Sequence, residues 1–298
     1  MDIRILFAYG MAIILWGSAF PGIRVALESY SPEHVALLPM GTASFVLFFI
    51  ALKMKMKPPA LKDIPAILLL GGLGFSVYHT FLSIGEKTVE AGTASLLIAL
   101  VPLLSALLAV VFLKEKFGAA GWIGSLIAFI GVGVISLSGG TFQIEWGVLV
   151  ILAGALGEAF YFVFQSSYLQ KYGFLPFTFY AIFAGTLFML PFAGGLGTAV
   201  GQASVESTLT ILYLGLFPTV IPYFAIAYAT SRQGASEATS FFYLVPVMAI
   251  MISWLWLGEL PTLLSILGGI LALIGVATPR MAFLFKQKTI SAAEHRKT

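Results

Sequence analysis

Two ionisable side chains stand in the middle of long apolar runs: His79 in GFSVYHTFLSIG and Glu158 in AGALGEAFYFVFQ. Away from water such groups are costly and usually mark a pathway or a site. At helical spacing His79 shares a stripe with Phe75, Tyr78 and Leu82. An aromatic and imidazole face of this kind can hold an aromatic or branched side chain and hydrogen-bond a polar head group. The alternative is a neutral histidine tied to a neighbouring helix. Glu158 shares its face with Tyr161, Phe162 and Gln165. An ionised carboxylate at mid-bilayer costs at least about 2.5–3.5 kcal/mol, so Glu158 is protonated, paired with a cation, or turned to a wet cavity. It is then either a proton carrier or a protonated side chain bridging two helices. Trp16 and Ser18 in LWGSAF, and Phe241, Phe242 and Tyr243, supply more aromatic and hydroxyl surface. For most of these rings lipid contact or core packing is the plainer reading. Ser95 and Thr239 offer hydroxyls to a cavity or bond back to their own helices.

The elements that carry these residues must sit in lipid. Of 298 residues, 59% are hydrophobic and only 10% charged, and the mean hydropathy is +1.00. A soluble domain carries about 25% charged residues to keep its surface wet. The net charge of +3 therefore speaks about loop placement in a membrane rather than about nucleic acid. The chain has no cysteine, which excludes a disulfide framework and a thiolate metal site. The apolar stretch after MDIR is longer than a signal-peptide core and reads as a retained first span.

A helix needs about 20 apolar residues to cross the hydrocarbon core. Ten such runs lie near 5–25, 33–52, 63–85, 91–113, 119–138, 146–169, 174–194, 208–230, 235–257 and 262–284. With both ends cytoplasmic, 14 of the 16 Lys and Arg residues fall inside; only Arg24 and Lys87 fall outside. Residues after Lys286 form a polar cytoplasmic tail.

One segment is written twice. LVPLLSALLAVVFLKE (100–115) returns as LVPVMAIMISWLWLGE (244–259), shifted by 144 residues. At the same shift Gly71 falls on Gly215, Ala91 on Ala235, Ala94 on Ala238, Gly124 on Gly268 and Gly131 on Gly275. Five spans per half is an odd number, so the second half (141–285) must enter the membrane inverted relative to the first (1–140). Inverted repeats of this kind build transporters. The reading is an all-α membrane protein of ten helices around a central cavity. Pro102 and Pro246 lie mid-span and are expected to bend their helices. Glu115 and Glu259 precede the fifth and tenth helices and are expected to favour their positive ends. The glycines of those two helices let neighbours approach closely. Neither His79 nor Glu158 recurs: the shift sets Tyr223 against His79 and Ile14 against Glu158. Polar residues outside the symmetry point to substrate handling, because scaffold needs recur in both halves.

Two five-span halves, each with A-x-x-A, then L-V-P, then Glu and spaced glycines, resemble the drug/metabolite transporter superfamily. The resemblance is to its EamA-type exporters, and among those to the YddG-type aromatic amino-acid exporters. It implies a bacterial-type inner-membrane carrier with a central cavity built from spans one, three, four, six, eight and nine. Relatives often carry an Arg near the start of span two; here Pro39 stands about there, so that Arg's role does not carry over. No Lys or Arg lies at the centre of a span, which argues against phosphate-bearing substrates. The chain contains no H-E-x-x-H and no G-x-S-x-G, and only three histidines. It is expected to be no enzyme and to need no cofactor or metal. The expectation is a monomeric exporter of neutral or zwitterionic metabolites, aromatic or large apolar amino acids above all. The alternative is a proton-coupled exporter of lipophilic cations that uses Glu158.

Overall fold

The computed structural model describes residues 3–114, 118–136, 145–233 and 244–295. All regular structure among them is helical. Helix α1 (Ile3–Leu27) and α2 (Pro32–Lys53) are each a full span. The start of α2 follows from its first residues: the Ser31 hydroxyl accepts from the His34 N–H, and Pro32 needs no partner in the first turn. The third span, Leu61–Gly85, is composite. A short 3-10 turn leads into α3 (Ile64–Gly71), a π-helical turn covers Gly72–Val77, and α4 (Tyr78–Gly85) completes it.

The fourth span is split as well, into α5 (Ala91–Ile98) and α6 (Val101–Leu113). Pro102 stands in the first turn of α6. It therefore starts a helix after a break at Ala99–Leu100 and does not kink a continuous one, because a first-turn proline has no N–H to lose. Pro246 holds the same place in α14 (Val245–Leu257). Between these come α7 (Ala119–Ser136), α8 (Trp146–Phe164), α9 (Ser166–Tyr172), α10 (Phe174–Met189), α11 (Leu196–Gln202), α12 (Val205–Leu216) and α13 (Ile221–Gln233). The chain closes on α15 (Leu263–His295). Thus 208–230, read as one span, is broken at 217–220, and 146–169 is broken at Gln165.

Among the described residues, seven stretches are long and apolar enough to cross a membrane, and α7, α14 and residues 263–278 of α15 are shorter apolar helices. Large apolar side chains such as Phe49, Leu126, Trp254 and Leu255 are left exposed on the outside. That is the arrangement of a multi-span membrane protein, whose solvent is hydrocarbon.

Helix α1 lies against α14, α13 and α12, while α8 lies against α6, α4 and the π turn. Helices α7 and α15 touch along their glycines. A Cβ on Gly131 would sit 2.5 Å from the Gly268 carbonyl, and one on Gly268 would sit 2.6 Å from that of Gly131. Gly275 meets Gly124 and Ala128 in the same way. Shifting the pair Gly131–Gly268 by 144 residues, with the two members exchanged, yields Gly275–Gly124.

Glu259 is not a helix cap. The Thr262 hydroxyl accepts from the Ser265 N–H at 3.1 Å and does that work, while Glu259 binds Arg24. Glu115 lies outside the described residues.

Candidate functional site

Splitting the spans brings polar backbone and side chains to the middle of the bundle. The cavity there has a volume of about 80 Å³ and opens to the outside. Its walls come from α1 (Trp16, Phe20, Ile23), α2 (Val35, Pro39), α4 (Tyr78, His79, Leu82) and α5 (Ser95, Ile98). Glu158 of α8, Thr219 and Tyr223 of the broken stretch, and Pro246 of α14 complete them. Among the described lining residues, His79 and Glu158 are the ionisable side chains besides the tyrosines.

His79 is oriented by its own helix. Its Nδ1 lies 3.0 Å from the Phe75 carbonyl, and a carbonyl only accepts, so Nδ1 carries the proton. In the neutral ring Nε2 is then an acceptor. The Tyr78 ring meets the imidazole edge-on at 4.7 Å. The π turn just upstream matters here. Such a turn is a frequent companion of functional sites, since its wider spacing offsets the faces on either side of it.

Glu158 is buried, and its Oε1 accepts from the Tyr223 hydroxyl at 3.4 Å, a long contact. Tyr223 also faces Trp16 edge-on at 5.4 Å and Phe75 at 4.9 Å. Phe75 is fully buried and meets Tyr161 at 5.1 Å. The carboxylate thus sits beside a column of rings that runs from Trp16 through Tyr223 and Phe75 to Tyr161.

Of the sequence-selected residues, Trp16, Tyr78, His79, Ser95, Glu158 and Pro246 line one cavity. Phe75, within the π turn itself, is fully buried as packing and is not on the cavity wall. Phe162 borders a smaller neighbouring pocket with Gln165 and Thr178. Pro102 is not on the cavity wall, and Tyr243 lies outside the described residues. The Ser95 hydroxyl bonds back to Gly92 at 2.6 Å and is not free for a ligand. Tyr223 lines the same cavity but was not singled out from the sequence. Its one signal in the sequence is its place opposite His79 in the repeat.

These features define the chain as a multi-span membrane protein with a mostly apolar, sparsely charged cavity between its helices. The family model of EamA-like transporters matches it twice, over residues 3–137 and 145–278. The chain belongs to that family and is a membrane transporter. It is 53% identical to an uncharacterized transporter, YdfC of Bacillus subtilis (strain 168), over 92% of this chain and 90% of that one. It is 36% identical to a probable terminal-alkyne amino-acid exporter of Streptantibioticus cattleyicolor, over 98% of this chain and 99% of the relative. Identity to the inner membrane transporter YedA of Escherichia coli (strain K12) is 28%, over 80% and 78%. A crystal structure of an 18% identical protein aligns with a TM-score of 0.63 over 97% of this chain and 99% of that one. At that identity the likeness establishes the fold alone.

Proposed function

We propose that the protein exports amino acids with aromatic or large apolar side chains by alternating access. In this reading ten spans form two inverted halves, residues 1–140 and 141–285, with both chain ends and the tail 286–298 in the cytoplasm. The chain works as a monomer in the plasma membrane, since it carries both halves itself. The double match of the family model and the exchanged glycine pairs of α7 and α15 support the repeat. The broken helices that begin at Pro102 and Pro246 supply bends at which halves can move.

The observation that carries the substrate class is the cavity wall. Trp16, Tyr78, Leu82 and Ile98 form an apolar surface around Glu158 and His79, with no Lys or Arg among the described lining residues. Glu158 suits an ammonium group and the Tyr78 hydroxyl a carboxylate, while the rings suit the side chain. The amino-acid exporter among the relatives supports the same class.

Counterflow in proteoliposomes tests this, with labelled phenylalanine beside labelled tetraphenylphosphonium. Wild type should exchange phenylalanine, and His79→Ala should lower that exchange about tenfold, the equivalent of one lost interaction of about 1.4 kcal/mol. If only the phosphonium moves, requires Glu158 and follows a pH gradient, the protein is a cation/proton exchanger and the amino-acid reading is wrong.

A further inference from the structure

Arg24 is one of the two basic residues that the charge pattern left on the far side of the membrane. It lies in the last turn of α1, and each nitrogen of its guanidinium donates a hydrogen bond. Nε and Nη2 donate to Glu259 Oε1 at 3.2 and 3.0 Å, and Nη1 donates to the backbone carbonyl of Glu86 at 2.5 Å. Glu86, just after α4, has an exposure of 0%. Both of its carboxylate oxygens are buried without a hydrogen-bond partner, and so is Glu259 Oε2. Glu90 and Glu145 add their charges to the surroundings of Arg24 and Glu259. One guanidinium thus faces a surplus of carboxylates.

An ionised carboxylate buried without a donor costs several kcal/mol. In the arrangement seen here Glu86 is therefore neutral. Arg24 and Glu86 both belong to the first half of the chain, whereas Glu259 belongs to the second. We propose that Glu86 is a proton-binding site that decides whether Arg24 clasps the two halves together at this end of the cavity.

With the proton on, Arg24 stays on Glu259 and bridges the halves. With the proton gone to water, the new carboxylate competes for the same guanidinium. Nη1 already rests on the Glu86 carbonyl, so the exchange asks only for side-chain rotation. The bond then lies within the first half, Glu259 is released, and α1 is free to part from the end of α14. Burial pushes the Glu86 carboxyl well above the usual carboxylate range; Arg24 draws it down and Glu259 pushes it further up. The ligand of this site is a proton, and the site deepens the transport reading by coupling access to pH.

The chain has no cysteine, so a single reporter is simple to place. Ser83→Cys on the cavity wall would be labelled with a membrane-impermeant maleimide in nanodiscs, where both faces share one pH. Rates are normalised to the same protein unfolded, which removes the titration of the thiol itself. In the reporter background the normalised rate should rise about fivefold or more from acid to alkaline pH, the size of a modest coupling energy. Adding Glu86→Gln should hold it at the acid level at every pH, and adding Glu259→Gln should hold it at the alkaline level. A wild-type pH profile in either variant overturns the proposal; the two arms are independent should one variant fail to fold. Phenylalanine exchange with flat labelling defeats this inference alone. Labelling that follows pH without phenylalanine exchange supports the proton site and defeats the substrate reading.

Discussion

The two ends of the bundle hold the halves of the chain together in different ways. Asp63 and Glu86 bracket the third span, so they mark opposite ends. At the Asp63 end the carboxylate accepts from Lys171 and from the Tyr172 hydroxyl, which in turn accepts from the Ala60 N–H at 3.1 Å. The Tyr180 hydroxyl donates to the Lys57 carbonyl nearby. The carboxylate of Asp63 has the Lys171 ammonium as its opposite. At the Arg24 end one cation serves Glu259 and the backbone of Glu86, and a buried carboxyl is left over. Satisfied knots have one good arrangement, whereas a knot with a surplus acceptor has two that differ by a proton. The lesson is that one bundle can match its charges at one end and leave a buried carboxyl without a partner at the other.

Four substitutions would break or sharpen this contrast. The largest effect is expected for Arg24→Gln, which strands Glu86 and Glu259 together. Both pair members are partly exposed, so the loss is about 2–3 kcal/mol rather than that of a deeply buried pair, and it should show as a lower melting temperature at neutral pH. Gly92→Leu should come next. A Cβ there would lie 2.7 Å from the Pro261 ring and 3.0 Å from Ile250. Overpacking of this kind costs about 1–3 kcal/mol, and it should push the Glu259 loop from Arg24 and raise maleimide labelling without altering any charge.

Glu86→Gln should have a smaller effect of the opposite sign. A carboxyl that favours its proton in the folded state costs stability above the ordinary carboxylate range and nothing below it. The variant should therefore match wild type in acid and melt higher as pH rises, by about 1 kcal/mol. Equal melting temperatures across that range would remove the buried carboxyl from the account. Asp63→Asn should matter least. Its ion pair with Lys171 is half open to solvent, with the lysine side chain 42% exposed, and added salt should erase most of the change in melting temperature.

The sequence made some of this legible and hid the rest for physical reasons. Apolar length and the scarcity of charge exposed the membrane spans, and the rarity of mid-span ionisable groups exposed His79 and Glu158, which share one cavity wall. Breaks within spans were only half visible. Pro102 and Pro246 announced an interruption, but whether a proline kinks a helix or begins one depends on the residues before it. The π turn at Gly72–Val77 has no signal beyond its glycines. Phe75 falls off the cavity wall because a uniform helical period assumes that no such turn intervenes. Partnerships across the bundle were hidden altogether. Arg24 stood out as an exception to the charge pattern, and Glu259 as a repeated residue, yet nothing in a linear pattern joins positions so far apart. Tyr223 fell into the same gap between spacing along the chain and contact across it.

The glycine seam between α7 and α15 has a consequence for the order in which the protein is made. The ribosome releases α7 long before α15, and among the described residues it is α15 that lies close against Gly131. Until translation delivers that helix, the first half waits in the bilayer with a bare groove on its flank. The seam is therefore a completion mark: a product cut short before α15 lacks it entirely.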